Sequence, residues 1–264
     1  MLELQHVTKI FNGGTVNEKI ALRDVSLTLE DGDFVTVIGG NGAGKSTLMN
    51  AIAGTWPLDE GKVLIDGHDI SHMPEHKRAR FLGRVFQDPR MGTATDMQID
   101  ENLALANRRG KRRGLAWSIT AKEREQYRAM LAPLDLGLED RITSKVGLLS
   151  GGQRQAVTLL MASMNQPRVL LLDEHTAALD PKTAKKVLEL TDEIVTKNKL
   201  TTLMITHNMK DAITHGNRLI MMHNGRIILD ISGEEKQHLT VEYLLKRFEE
   251  NSGESFTSDR ALLS

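Results

Sequence analysis

The 264-residue chain has no cysteine, six prolines, 4% aromatic residues and almost no net charge. Without cysteine there is neither a disulfide framework nor a thiolate metal site, a composition that fits the cytosol. The longest apolar runs, such as 169–172 and 219–222, are far below the ~18 residues that a membrane-spanning helix requires. The chain is therefore expected not to cross a bilayer. Its first residues, Met1-Leu2-Glu3-Leu4-Gln5-His6, lack the basic start and apolar stretch of a secretory signal. Lys plus Arg number 34 against 35 Asp plus Glu, leaving −1, which removes the general basicity that holds a generic nucleic-acid binder. No nucleic-acid partner is expected. At 40% hydrophobic and 26% charged residues the chain falls in the globular range rather than the disordered one. At roughly 150 residues per domain, its length allows one large domain or two small ones.

Strand patterns over 2–11, 21–29, 34–38 and 62–65, separated by Gly-containing turns, predict a β-rich start. A helical pattern covers 45–54. From about 89 to 146 helix-type spacing dominates, with Thr120-Ala121-Lys122-Glu123 as a capping box, in which the hydroxyl and the carboxylate satisfy free backbone donors at a helix start. Tyr127, Met130, Leu131 and Leu134 fall on one face of the helix behind it, which is expected to end near Gly137. Thereafter helices (152–164, 181–195, 209–215) alternate with short apolar strands (169–172, 201–205), the pattern of a parallel α/β sheet. Segments 218–223 and 226–231 flank Asn224-Gly225, a hairpin turn in which both residues tolerate positive φ. Residues 249–264 are polar and aperiodic and are expected to form a flexible tail. Trp56 is expected in the core. Five bases in the six positions Arg108-Arg109-Gly110-Lys111-Arg112-Arg113 read as a solvated loop, with contact to acidic lipid headgroups or an acidic partner as the alternative.

Gly39-Gly40-Asn41-Gly42-Ala43-Gly44-Lys45-Ser46-Thr47 fits the phosphate-loop pattern, after an apolar strand and opening a helix. In such a loop the glycines let successive N–H groups converge on phosphate oxygens, and the helix N-terminus adds a positive dipole end. Lys45 would neutralise the β and γ phosphates, Ser46 would hold Mg2+ and Thr47 would support the α phosphate. The apolar strand 169–172 runs into Asp173-Glu174. There Asp173 can reach the Mg2+ shell and Glu174 can polarise a water aimed at the γ-phosphate.

Before that strand stands Leu149-Ser150-Gly151-Gly152-Gln153. With the phosphate loop, the Asp-Glu strand, Gln87 in Val85-Phe86-Gln87-Asp88, Ala178-Leu179-Asp180 and His207 in Ile205-Thr206-His207, the chain resembles the nucleotide-binding subunit of ATP-binding cassette (ABC) transporters. The resemblance covers about 2–231. It implies that the signature residues Ser150, Gly151, Gly152 and Gln153 close over ATP held by a second subunit. Gln87 would contact Mg2+ or the attacking water, His207 would hydrogen-bond the γ-phosphate, and Asp180 would face the other subunit. Phe11 lies where the family usually places a ring that stacks on adenine. Asp180 before Pro181 is also an ordinary helix start. Two positions depart from the commonest family pattern: His175, where Pro is usual, and Gly40, where Pro or Ser is more common.

The resemblance implies an α/β fold: a RecA-like P-loop NTPase core with an N-terminal antiparallel β subdomain and an inserted α-helical subdomain. One ABC ATPase domain would span 1–248, with 1–88 and 147–248 as core and 89–146 as the helical part. The implied activity is hydrolysis of ATP with Mg2+, with Glu174, His207, Gln87 and Lys45 catalytic. It would power uptake of a small solute, of which an amino acid is one reading, from the cytoplasmic face of the membrane. The implied partners are a second ATPase subunit, as a homodimer, separate transmembrane permease subunits and an extracytoplasmic solute-binding protein. An ABC exporter subunit and a soluble non-transport ABC ATPase are the alternatives.

Overall fold

The computed structural model describes residues 1–111 and 119–252. Its strands begin with β1 (Leu2–Phe11), β2 (Lys19–Leu29), β3 (Phe34–Ile38), β4 (Glu60–Ile65) and β5 (His68–Asp69). They continue with β6 (Leu82–Val85), β7 (Val169–Asp173), β8 (Thr202–Ile205), β9 (Arg218–His223) and β10 (Arg226–Ser232). The helices are α1 (Lys45–Ala53), α2 (Glu75–Arg78), α3 (Ile99–Asn107), α4 (Ala121–Leu131) and α5 (Gly151–Ser163). After them come α6 (Pro181–Asn198), α7 (Met209–Thr214), α8 (Gly233–Gln237) and α9 (Val241–Ser252).

Two sheets result. An antiparallel sheet has the order β2-β1-β4-β5, and a second sheet has the order β10-β9-β3-β8-β7-β6. In the second, β9, β3, β8, β7 and β6 are parallel and only β10 runs back. Strands covered on both faces read as unbroken apolar runs rather than alternating ones. This is why Phe34-Val35-Thr36-Val37-Ile38 is buried throughout and Leu170, Leu171 and Leu172 are each 0% exposed. Leu171 faces a core shared with the antiparallel sheet and α1. Leu170 and Leu172 face a second core built with the helices between β6 and β8. A third, with Leu219, Met221, Leu244 and Phe248, joins β9 to α9. The register Val37↔Ile205 and Asp173↔Ile205 brings the C-terminal ends of β3, β8 and β7 level, the end where open α/β sheets hold their ligands.

Local signals set the helix starts. Thr120 and Glu123 form a reciprocal capping box on α4, Ser150 and Gln153 form one on α5, and Asp180 caps α6 with Pro181 behind it. Helix ends depart from the expected bounds. Helix α4 stops at Leu131 and tightens into a 3-10 turn over Ala132–Leu134, because Pro133 has no N–H to extend an α-helix. Helix α9 runs to Ser252, past residue 249, where a tail is expected. Ion pairs from Lys246 and Arg247 to Glu250 carry the helix beyond the buried Phe248. The rest of the expected tail, 253–264, lies outside the described residues.

The basic run is not a uniform solvated face. Arg108 pairs with Glu123 at 2.9 Å, and Arg109 is half-buried, so that desolvation pushes its guanidinium below the usual range. Arg112 and Arg113 lie outside the described residues. At the far end of the phosphate-loop helix, the buried Arg78 donates from Nη1 to the carbonyls of Ala51 and Ile52, both at 2.8 Å. A cation on the last carbonyls satisfies acceptors that the helix itself leaves open.

Candidate functional site

The loop between β3 and α1 forms the floor of a cleft lined by Phe11, Lys19 and Ala21, by the loop from Asn41 to Thr47, and by Glu174. Gly44 stands at the start of α1 with φ 105 and no side-chain cap, so no capping side chain stands over the helix N-terminus, whose dipole end faces the cleft. A Cβ at Gly44 would lie 2.6 Å from the carbonyl oxygen of Ala21, which reserves this position for glycine. Buried Lys45 donates from Nζ to the carbonyls of Gly39 (2.7 Å) and Gly40 (3.1 Å). Its cation is thus held over the loop. Ser46 is exposed and Thr47 half-buried beside it. These groups offer amides, a cation and hydroxyls in one concave surface, the set that a polyphosphate needs.

At the ends of β7 and β8 the carboxylates and their neighbours converge. Glu174 takes φ 43, a conformation that costs a residue with a Cβ roughly 1–2 kcal/mol. Its N–H donates to Ile205 on β8 at 3.0 Å and its carbonyl accepts from Ala177 at 3.0 Å. The turn aims the side chain at two partners. Gln87 donates from Nε2 to Glu174 Oε2 at 3.3 Å, and His207 Nδ1 is 3.8 Å from the same oxygen. Asp173, half-buried, has its carboxyl raised above the usual range by burial, against the opposing charge of Arg84 and with the like charge of Glu174 adding to the rise. Arg84 Nη2 stands 3.6 Å from Asp173 Oδ2. His175 turns inward and is 2% exposed.

The helix N-terminus without a side-chain cap and the Lys45 cation match a triphosphate. Among the described residues no three His, Asp or Glu side chains gather as a metal cage. A magnesium ion typically uses one or two carboxylates and takes phosphate oxygens and water for the rest, so Ser46, Asp173 and Gln87 are a sufficient protein set.

Phe11 presents a half-buried ring to the cleft and meets Trp56 edge-on, with centroids 4.8 Å apart and planes at 86°. Trp56 is itself half-buried, which corrects the expectation of a core position: it backs the cleft's aromatic wall. Lys19 and Ala21 line the cleft and Arg84 neighbours Asp173, all three unforeseen from sequence. Lys19 carries no local signal at a strand start. Arg84 has one, a charge in an otherwise apolar tetrapeptide, Leu82-Gly83-Arg84-Val85.

The signature residues stand elsewhere. Ser150, Gly151, Gly152, Gln153 and Asp180 are absent from the cleft lining. Ser150 Oγ accepts from the Gln153 N–H at 3.3 Å, a cap that leaves the hydroxyl hydrogen unused. Asp180 accepts from the Thr183 N–H at 3.1 Å, and hydrogen bonding from the Thr183 side chain and backbone keeps its carboxyl below the usual range. Gly152 packs so tightly that a Cβ would lie 2.0 Å from Thr183 Cγ2. The start of α5 and the Asp180 loop therefore make one surface, with Ser150, Gly151 and Asp180 exposed on it.

Comparison with known proteins agrees with this geometry. The sequence profile described as "ABC transporter" matches residues 22–177. The chain is 45% identical over 249 residues to the "Tyrosine transport ATP-binding protein" of Clostridioides difficile (strain R20291), covering 94% of this chain and 99% of that one. It is 34% identical to "Methionine import ATP-binding protein MetN 2" of Enterococcus faecalis, covering 97% of this chain and 73% of the relative. It is 35% identical to "Spermidine/putrescine import ATP-binding protein PotA" of Haemophilus ducreyi, where it spans only 57% of the relative's length. Among solved structures it superposes on an ABC transporter cassette in its ADP conformation with a TM-score of 0.77, 29% identity and coverage of 94% and 98% of the two chains. A dimeric cassette in a post-hydrolysis state with ADP and Pi gives a TM-score of 0.73, 28% identity and coverage of 88% and 98%. No described helix is long and apolar enough to cross a membrane. By profile, by relatives and by the cleft itself, the chain belongs to the ABC transporter family, as an ATP-binding and ATP-hydrolysing cassette.

Proposed function

We propose that this cassette hydrolyses ATP to drive uptake of a small solute, an amino acid, through separate transmembrane subunits. The observation that carries the ATPase chemistry is the meeting of Gln87, Glu174 and His207 at the rim of the phosphate-loop cleft. Lys45 and the amides from Gly39 to Thr47, including Asn41, Gly42, Ala43 and Gly44, hold the phosphates. Ser46, Asp173 and Gln87 hold Mg2+, and Phe11 stacks on adenine. When bound, the ion neutralises charge on the phosphate oxygens. Glu174 is the proton acceptor for the attacking water, with Gln87 orienting that water. His207 donates to the transferring phosphoryl group, an electrostatic task for a preplaced donor.

The cleft encloses only about 180 Å3, below the ~300–1,000 Å3 of complete small-molecule pockets. This supports a site shared between two copies, in which exposed Ser150 and Gly151, with Gly152, Gln153 and Asp180, close over the partner's nucleotide. The dimer would act at the cytoplasmic face of the membrane, on permease subunits fed by a solute-binding protein. The near full-length 45% relative named for tyrosine transport supports an amino acid as solute, and the relatives named for methionine and polyamine import support the direction. In a strain lacking the chain, wild-type protein is expected to restore uptake of labelled tyrosine and Glu174→Gln is not. Purified Glu174→Gln should bind ATP normally and hydrolyse it at least ~100-fold more slowly. Normal hydrolysis by that variant would overturn the role of Glu174; uptake unaffected by loss of the chain would overturn the solute.

A further inference from the structure

Arg84 is paired opposite Leu171 in the β6–β7 ladder, so it shares the sheet face that carries Leu171 and Asp173. Its side chain is only 14% exposed, yet the guanidinium reaches three parts of the site. Nη2 donates to Asn50 Oδ1 on α1 at 2.8 Å and lies 3.6 Å from Asp173 Oδ2, within ion-pair range but beyond a hydrogen bond. Nη1 donates to Thr55 Oγ1 at 3.2 Å. The guanidinium carbon sits 4.6 Å from the centroid of the Phe86 ring, one residue before Gln87. The next acid, Glu75, is farther at 3.9 Å and far more exposed. A neutral amide could satisfy Asn50 and Thr55. A buried charge at this spot is explained by the carboxylate it faces.

We propose that Arg84 is a positioning residue for the divalent ion: it engages one oxygen of Asp173, offers the other to Mg2+, and ties that carboxylate to the phosphate-loop helix and to the Gln87 segment. The assignment rests on the ATPase reading above. Groups that orient a metal ligand from behind typically change metal affinity or activity by 10–100-fold when removed. A planar fork holds its partners on separate nitrogens in fixed directions, which the single nitrogen of a lysine does not.

The test measures binding of a fluorescent ATP analogue to purified Arg84→Gln and Arg84→Lys, in EDTA and across a Mg2+ titration, with thermal unfolding alongside. Both variants are expected to bind metal-free nucleotide like wild type and to need about 10-fold or more Mg2+ for the metal-dependent gain in affinity, with Lys intermediate. Thr55→Ala, which removes only a tether on the α1 side, should leave the Mg2+ requirement unchanged. If Arg84→Gln fails to fold, Arg84→Lys alone decides. An unchanged Mg2+ requirement, a lowered one, or equal weakening in EDTA would each overturn the proposal. Wild-type protein without any Mg2+-dependent nucleotide binding would instead remove the ATPase reading, and this assignment with it.

Discussion

His175 follows Glu174 in the chain but faces the opposite way. Its Nε2 lies 3.0 Å from Thr191 Oγ1 on α6, and the Thr191 hydroxyl donates to Val187 at 2.8 Å. The hydroxyl hydrogen is thereby used, so the imidazole donates and the threonine oxygen accepts. Burial, and secondarily the charge of His215, push the imidazole down from 6.5 to about 4. A folded-state value below the unfolded one means that between pH 6.5 and 4 the unfolded chain takes up a proton that the folded chain refuses. Stability is therefore lost as pH falls through that window, by up to about 3 kcal/mol from this group. His175→Gln keeps an N–H donor without the titration. Its urea midpoint is expected to fall less between pH 7 and pH 4.5 than that of wild type; equal falls would exclude His175 as the acid-sensitive group. In this way a residue that departs from the family's commonest pattern anchors the turn behind Glu174 from the interior.

At the scale of elements, the phosphate loop is held from outside by the β9–β10 hairpin. The Gly225 N–H donates to the carbonyl of Ala43 at 2.9 Å, and the Gly225 carbonyl accepts from Arg23 at 2.8 Å. A Cβ on Gly225 would lie 2.8 Å from the carbonyl oxygen of Ala21, and one on Gly44 would lie 3.3 Å from Gly225 Cα. Loop, hairpin and β2 thus meet backbone to backbone. Gly225→Asn can adopt the left-handed φ of 76 but adds a Cβ, so it is expected to weaken ATP binding about 10-fold through displacement of the loop. Gly233→Asn, at φ 63 with nothing within 4 Å, serves as the comparison and should bind ATP normally. Equal effects in an ATP titration would assign the loss to backbone conformation rather than to the clamp. The hairpin and the phosphate loop were each legible in the sequence, because Asn224-Gly225 and the glycine spacing are local signals. So were the caps Thr120 and Asp180. The contact between hairpin and loop was not legible, since no local pattern encodes which turn will meet which loop. Strand β6 was missed for a related reason: four residues with a glycine and an arginine carry no periodicity, and only pairing with β7 makes them a strand.

Across the whole molecule, the two halves of the proposed chemistry sit on different surfaces. The cleft with Phe11, Lys45 and Glu174 holds one, and the start of α5 with the Asp180 loop holds the other, fixed together by the packing of Gly152 on Thr183 and of Gly151 on Leu179. If each cleft is completed by the partner's signature surface, damage to the two halves must complement. In a mixed dimer of Lys45→Ala and Ser150→Arg subunits, one site combines both lesions and the other has neither. Random mixing makes about half the dimers mixed, so about a quarter of all sites would be intact. Single-turnover hydrolysis by the mixture is expected to rise to about that fraction of wild type, although each parent alone is inactive. Were the signature to act within its own chain, every site in the mixture would carry one lesion and no activity would return. A rise without added ATP-dependent association would point to contamination rather than complementation, so the dimer fraction is read by light scattering in the same samples.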